Sequence, residues 1–397
     1  MTPLLISLLA CAPGQGVLVD PLVGDTAAST VPTPTNPADT DTDTDVDTDT
    51  DTDVDTDTAT TPPTGTADTV DTALPLPCDD GVCRWTLLLE ETLPPGRRRG
   101  AIGAAVGPAG VVHVLVHDPD QARLLYLRSD SKAAEVVGDG AGDAEATELS
   151  VAVDVDGRVH VATLAGNSYR LIAREPDGTW NQQPLAGRTD VVSTAAVSRR
   201  GDTWMGAGRD AYVWNGGGYT AKPALPEVVE AMALDATGTV HALMGTGGPE
   251  PLYTRYDGAA WGARVAIYSG TFERTRLALD DDDVAHAVIE VDNPPGSDLL
   301  YAQTSSGSWA VDALAVGGTA HASGLALDAA GRPHVSYHDG VGTLQHGWFD
   351  GTGWVRSDVA ACGEVQETIP MIDPLTDAPV VVTYDVDADA LRIYRGE

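Results

Sequence analysis

Between 324 and 355 the chain alternates apolar and polar positions in short runs separated by Asp- and Gly-containing turns, the period-two pattern of strands half-buried in a sheet. The pattern predicts a strand over 324–328, a turn at Asp328-Ala-Ala-Gly331 and a second strand centred on His334, Val335 and Tyr337. A polar loop over 338–343 follows, then a third strand over 344–349, a turn at Asp350-Gly-Thr-Gly353 and a fourth strand opening with Trp354. Asp at the first turn position accepts from backbone N–H groups ahead of it and Gly supplies a positive φ, so both turns have a mechanical basis. The unit is a four-stranded antiparallel sheet.

The same register returns when the chain is aligned on His334. His113, His160, Trp204, His241, His286, His334 and Val381 share one position, at intervals of 47, 44, 37, 45, 48 and 47 residues. The turn ahead of it opens with Asp154, Asp235, Asp280, Asp328 and Asp373, and with Gly107 and Ser198 in the other two copies. An aromatic heads the fourth strand at Trp180, Tyr219, Trp261, Trp309 and Trp354; the segment 132–137 stands in its place in the first copy, and the seventh copy has none. The missing pattern occurs upstream of the first copy, at Arg84-Trp-Thr-Leu-Leu-Leu-Glu90. The expected fold is all-β: a seven-bladed β-propeller of four-stranded antiparallel blades. Its last blade is closed by the N-terminal strand pairing with 391–395, which removes two sheet edges at once.

Upstream of that strand the composition changes. The run from Asp39 to Thr58 holds ten Asp, and no Lys or Arg precedes Arg84. Sixteen acidic residues fall before Arg84, leaving −20 of the net −36 on the rest of the chain. Residues 12–77 are expected to be a disordered, self-repelling acidic linker, with 78–397 forming one propeller domain. The Asp run lacks the Gly turn and closing Glu of a calcium-binding EF-hand loop, so a solvated tether is the reading. Residues 4–10 form a short apolar run, and Leu8-Leu9-Ala10-Cys11 resembles the bacterial lipobox, which implies a signal peptide over 1–11 and a lipidated Cys11. No other stretch is long enough to span a membrane as a helix. The expected location is extracytoplasmic, at the outer membrane or cell surface, by lipid anchor.

Charge and the rarer residues narrow the chemistry. The acidic balance argues against nucleic acid and anionic lipid surfaces as partners. Cys78 and Cys83 bracket a four-residue loop and are expected to form a disulfide, leaving Cys362, between the sixth and seventh blades, free. No metal site and no cofactor is expected. The five histidines of the repeat position are placed one per blade by pseudo-symmetry, which suits hydrogen bonding within each blade better than convergence on one ion. The tryptophans of the fourth strands are expected to pack between blades.

The turns Asp177-Gly-Thr-Trp180, Asp257-Gly-Ala-Ala-Trp261 and Asp350-Gly-Thr-Gly-Trp354 resemble degenerate Asp-boxes of sialidase and BNR-repeat propellers. The resemblance spans 84–397 and implies structural turns. The family's catalytic arginine triad has no counterpart here, since Arg97, Arg98 and Arg99 are adjacent rather than spread over blades. The whole chain is similar to propeller lipoproteins of Gram-negative bacteria that carry Thr-Asp tethers. Function on a propeller is built on the face formed by the loops from fourth to next first strands and from second to third strands. There the candidate ligand-binding residues are Asp292, Asp298, His338, Asp339, Asp385 and Arg209, with Asp387 and Arg274 nearby and Tyr268 and Phe272 as an exposed aromatic pair. The favoured expectation is a non-catalytic, monomeric binding or scaffold lipoprotein recognising a glycan or protein partner. The alternative is a glycan hydrolase or lyase using a carboxylate pair from Asp292, Asp298, Asp339 or Asp385.

Overall fold

The computed structural model describes Cys83 to Glu397 apart from short stretches, the longest being 93–101, 138–145 and 186–193. Cys11, the linker at 12–77, Cys78 and Arg97 to Arg99 lie outside the described residues. Every described element is a strand, and within the blades the strands pair antiparallel in sequence order, save that the N-terminal strand pairs with the last one. Blades 1 to 4 are separate four-stranded sheets over 102–137, 146–185, 194–222 and 229–266. The innermost strands of successive blades neighbour one another all the way round, and blade 7 meets blade 1. The ring is closed.

Blade 7 takes three strands from the C-terminal end, Val365–Ile372, Pro379–Asp385 and Ala390–Gly396, and its fourth from Trp85–Thr92. Trp85 stands opposite Gly396 and Thr92 opposite Ala390, with a register shift between Leu87 and Leu89. Arg84 and Glu397 exchange both backbone hydrogen bonds beyond the last pair. Trp85 meets His346 of blade 6 edge-on at 5.0 Å and donates its indole N–H to Ser357 Oγ at 3.2 Å. It fills the interblade place that a fourth-strand tryptophan fills elsewhere.

One feature departs from seven equal sheets. Ser308–Leu327 is a single 20-residue strand. Its first part is the outer strand of blade 5, with Ser308 opposite Ser305 and Ala315 opposite Leu299; its last part is the inner strand of blade 6, with Leu327 opposite Pro333. Blades 5 and 6 therefore share one seven-stranded sheet. The crossing segment Leu314-Ala-Val-Gly-Gly-Thr-Ala320 has neither Pro nor Asp to impose a turn, so the backbone stays extended through it.

The core is divided between neighbouring blades. One cluster joins Val114, Val116 and Leu125 of blade 1 to Val380, Val382 and Ile393 of blade 7. Another joins Leu115 and Tyr126 to Val151, Val161 and Ile172 of blade 2. Near the axis the inner strands approach so closely that a side chain does not fit: a Cβ on Gly324 would lie 2.1 Å from Pro370 Cδ and 2.6 Å from the Thr368 carbonyl oxygen. The turns before the fourth strands are held by their aspartate side chains. Asp350 Oδ1 accepts from the Thr352 and Gly353 N–H groups and Asp257 Oδ1 from those of Ala259 and Ala260, with Gly351 and Gly258 at φ near +95°.

Candidate functional site

The repeated Asp and His residues form relays on the lower side of the blades. Asp154, Asp235, Asp280 and Asp328 each accept on Oδ1 from the N–H groups two and four residues ahead, which shapes the turn. Oδ2 meets the ring Nε2 of the repeat histidine: His160 at 3.1 Å, His241 at 3.4 Å, His286 at 3.3 Å and His334 at 3.3 Å. On the other side of the ring, Nδ1 of His241 lies 2.6 Å from the Tyr253 hydroxyl and Nδ1 of His286 lies 2.5 Å from that of Tyr301. A carboxylate only accepts, so Nε2 carries the proton there and the tyrosine donates to Nδ1. Each tyrosine then meets the tryptophan of the next blade edge-on, Tyr253 against Trp309 and Tyr301 against Trp354, both at 5.2 Å. Blade 1 repeats the contact with His113, Tyr126 and Trp180 but has Gly107 in place of the aspartate. In blade 7 Val381 replaces the histidine, and Arg395 ion-pairs with Asp373. His113, His241 and His286 thus bond tyrosines of their own blades, whereas Nδ1 of His160 lies 2.9 Å from the Tyr219 hydroxyl of blade 3. No group of three or more His, Cys, Asp or Glu placed to hold a metal ion occurs among the described residues.

These relays make stability pH-dependent. Burial, aided by the Arg128 charge, lowers the His113 pKa to about 4, and burial also lowers those of His160, His241, His286 and His346. The unfolded chain binds these protons near pH 6.5 and the folded one does not, so stability is complete above 6.5 and falls as pH drops toward 4. His113 alone accounts for a loss of up to about 3 kcal/mol. Burial raises the Asp328 pKa, but hydrogen bonds from His334 and Arg332 outweigh it and hold the carboxyl at about 2, adding a second loss below about pH 4. We expect a flat Tm from pH 8 to 6.5 and a progressive fall from 6.5 to 4 in a calorimetric titration. A flat Tm down to pH 4.5 would contradict the relay account.

The upper face carries the loops named above, and the structure distributes the candidate residues unevenly over it. Phe272 is not an exposed aromatic. It is 3 % exposed and packs with Leu243, Ile267 and Ile289, because the loop from blade 4 to blade 5 folds inward and buries its two large apolar side chains, Ile267 and Phe272, at that corner. Tyr268 is half-buried against the same cluster. Arg209 donates to the Pro226 carbonyl oxygen at 2.6 Å and to Glu227 at 2.9 Å. Asp298 accepts from Asn293 Nδ2 at 3.0 Å, while Asp292 is exposed. Asp339 Oδ1 accepts from the Val341 and Thr343 N–H groups, which hold its carboxyl below its ordinary range although burial acts the other way. Asp385 is 2 % exposed and takes the Arg392 guanidinium at 2.7 Å and the Gly363 and Ala388 N–H groups at 3.2 and 3.0 Å. Asp339 and Asp385 therefore shape loops.

What the fold does bring together is a cleft of about 590 Å³ between blades 5, 6 and 7. Of the eight ligand-binding candidates only His338 lines it, beside Glu273, Arg274, Glu290, Cys362, Glu364 and Asp387. Glu273, Glu290, Cys362 and Glu364 are the members the sequence reading misses. A signal for part of it exists. The fourth residue after the repeat position lies at or next to the end of the buried part of the second strand, and in four consecutive blades of the ring it is polar and buried: Glu290, His338, Asp385 and His117. Cys362 is a free thiol whose pKa is raised to about 11 by burial and the Asp385 charge, so it stays protonated at neutral pH. Cys83 is disulfide-bonded, while its expected partner Cys78 lies outside the described residues.

No family model and no curated protein sequence matches this chain. Solved structures do resemble it. Virginiamycin B lyase from Staphylococcus aureus aligns at 12 % identity with a TM-score of 0.53, covering 79 % of this chain and 99 % of that one. U3-55K aligns at 12 % identity and 0.55, covering 78 % and 98 %. The β-propeller domain of Myceliophteria thermophila Cps50 (Swd1) aligns at 11 % identity and 0.51, covering 77 % and 99 %. At such identity the likeness is one of fold alone and reaches neither reaction nor ligand.

Proposed function

We propose that this chain is a non-catalytic recognition module, held at the cell envelope by a lipid on Cys11 and presenting the upper face of its propeller to a protein partner. The observation that carries the reading is the cleft between blades 5, 6 and 7, concave, polar and built from the loops of three blades. A glycoside hydrolase needs two carboxylates facing each other across a scissile bond. Two of the sequence candidates, Asp339 and Asp385, are engaged by backbone N–H groups and Arg392 instead. A sugar-binding site stacks its ligand on an exposed aromatic, and Phe272 is in the core. These placements favour a polypeptide over a glycan.

The test is to apply the chain to peptide and glycan arrays in parallel and to analyse the glycan spots for released product. We expect binding on the peptide array and no product. Glycan binding with product release would establish the hydrolase or lyase reading in its place. Mass measurement of the mature N-terminal peptide decides the anchor: an acylated Cys11 is expected, and an unmodified N-terminus contradicts it.

A further inference from the structure

One carboxylate of the cleft differs from the rest. Glu290 sits on the second strand of blade 5, is 2 % exposed and lines the cleft. Its Oε1 accepts from the Ser323 backbone N–H at 2.5 Å and from Ser323 Oγ at 2.6 Å, on the inner strand of blade 6. That pair of bonds fixes the side chain in place. Oε2 accepts no hydrogen bond among the described residues. Arg274 stands opposite Glu290 across the ladder and lines the same cleft. Oε2 is therefore open to a donor entering the cleft, and a donor arriving with a positive charge makes the stronger class of hydrogen bond with it.

The surroundings select the donor. Glu273, Glu364 and Asp387 stand exposed at the rim. Asp387 accepts the Glu364 N–H at 3.0 Å and Glu273 accepts the Ser297 hydroxyl at 3.0 Å, so the rim carboxylates are held in position by the loops themselves. Four carboxylates against the single guanidinium of Arg274 give the cleft a negative potential, focused by its concave walls. A calcium ion needs six to eight converging oxygens, and no acidic group of the required kind occurs among the described residues. No Phe, Tyr or Trp lines the cleft to cage a quaternary ammonium. A volume of about 590 Å³ accommodates a long side chain together with its flanking backbone.

We infer that the cleft seats a lysine ammonium or arginine guanidinium of a partner polypeptide, donating to Oε2 of Glu290 with the rim carboxylates steering its approach. This rests on the recognition reading above and names its ligand chemistry. The partner is then a protein with an exposed basic segment, and acetylation of its lysine abolishes the contact.

The full chain is applied to a peptide array in which every lysine peptide is paired with its Nε-acetyl-lysine form and every arginine peptide with its citrulline form. On the wild type, neutralisation is expected to weaken binding at least tenfold. Glu290→Gln keeps an acceptor for Ser323 and is expected to lose at least tenfold for the charged peptides and to bind both forms alike. Ser323→Ala retains the charge and is expected to keep the preference. Should Glu290→Gln fail to fold, the paired peptides on the wild type still decide. Binding indifferent to acetylation and citrulline overturns this inference and leaves recognition standing. Glycan binding without peptide binding, or no binding at all, overturns both. A calcium-induced rise in Tm that Glu290→Gln removes reassigns the cleft to a metal and also overturns the inference.

Discussion

Deleting residues through Glu91 is expected to lower stability by about 5 kcal/mol, or roughly 10 °C in Tm. The deletion strips the outer strand from blade 7, leaving Ala390–Gly396 as a bare edge. It removes the ladder from Trp85 to Glu91, the Trp85 indole from between Ser357 and His346, and Leu89 from the cluster shared by blades 7 and 1. An unpaired, apolar edge also templates association, so the variant is expected to aggregate on heating where the intact chain does not. Calorimetry with light scattering checks both, and a deletion that melts like the wild type would show that the ring does not depend on the strand.

The second large effect is expected at the axis. Gly324→Ala places a methyl group 2.1 Å from Pro370 Cδ and 2.6 Å from the Thr368 carbonyl oxygen. Neither obstacle is the free end of a flexible chain, so the inner strands of blades 6 and 7 must separate. Overpacking of this kind is expected to cost about 3 kcal/mol or more. Val365, at the start of the blade 7 inner strand, lines the cleft, so partner binding is expected to weaken along with Tm. Gly351→Ala is a contrast: nothing lies within 4 Å of its added Cβ, and only its positive φ opposes the change. A Gly324→Ala variant with an unchanged Tm would mean that the inner ring has slack.

Much of this architecture is legible in the sequence because each blade reuses one piece of turn chemistry. An aspartate that caps its own turn with Oδ1 has Oδ2 left for a histidine six residues on, so the two recur together at Asp154 and His160, Asp235 and His241, Asp280 and His286, Asp328 and His334. The interblade tryptophan recurs for a similar reason, and its absence after the seventh repeat points to Trp85. The tyrosine partners are hidden. They follow their histidines by 12 residues at Tyr253, 13 at Tyr126 and 15 at Tyr301, since loop lengths vary between the second and third strands.

The candidate site is read less well for a physical reason. Loop carboxylates can serve either a ligand or their own backbone, and the sequence does not distinguish the two uses. Asp339 and Asp385 are of the second kind. Phe272 lies between Thr271 and Glu273 in a loop whose polarity suggests exposure, while its ring completes the core between blades 4 and 5. Glu290 escapes notice because it interrupts the apolar strand Ala287-Val-Ile-Glu-Val291, where a charge reads as a break in pattern rather than as part of a cleft.

If a partner is recognised through the upper cleft, the two faces of the propeller must differ in what their charges do for binding, and variants of each face measure that difference. One variant carries Glu273→Gln, Glu364→Gln and Asp387→Asn at the rim; the other carries Asp156→Asn and Asp282→Asn on the exposed turns of the lower face. Affinity for the best-bound array peptide is measured by titration calorimetry for both and for the wild type, with Tm recorded alongside. The account predicts a loss of tenfold or more for the upper variant, affinity within twofold of wild type for the lower one, and intact folding in both. Equal affinity of the upper variant and the wild type, or a loss confined to the lower variant, would contradict it.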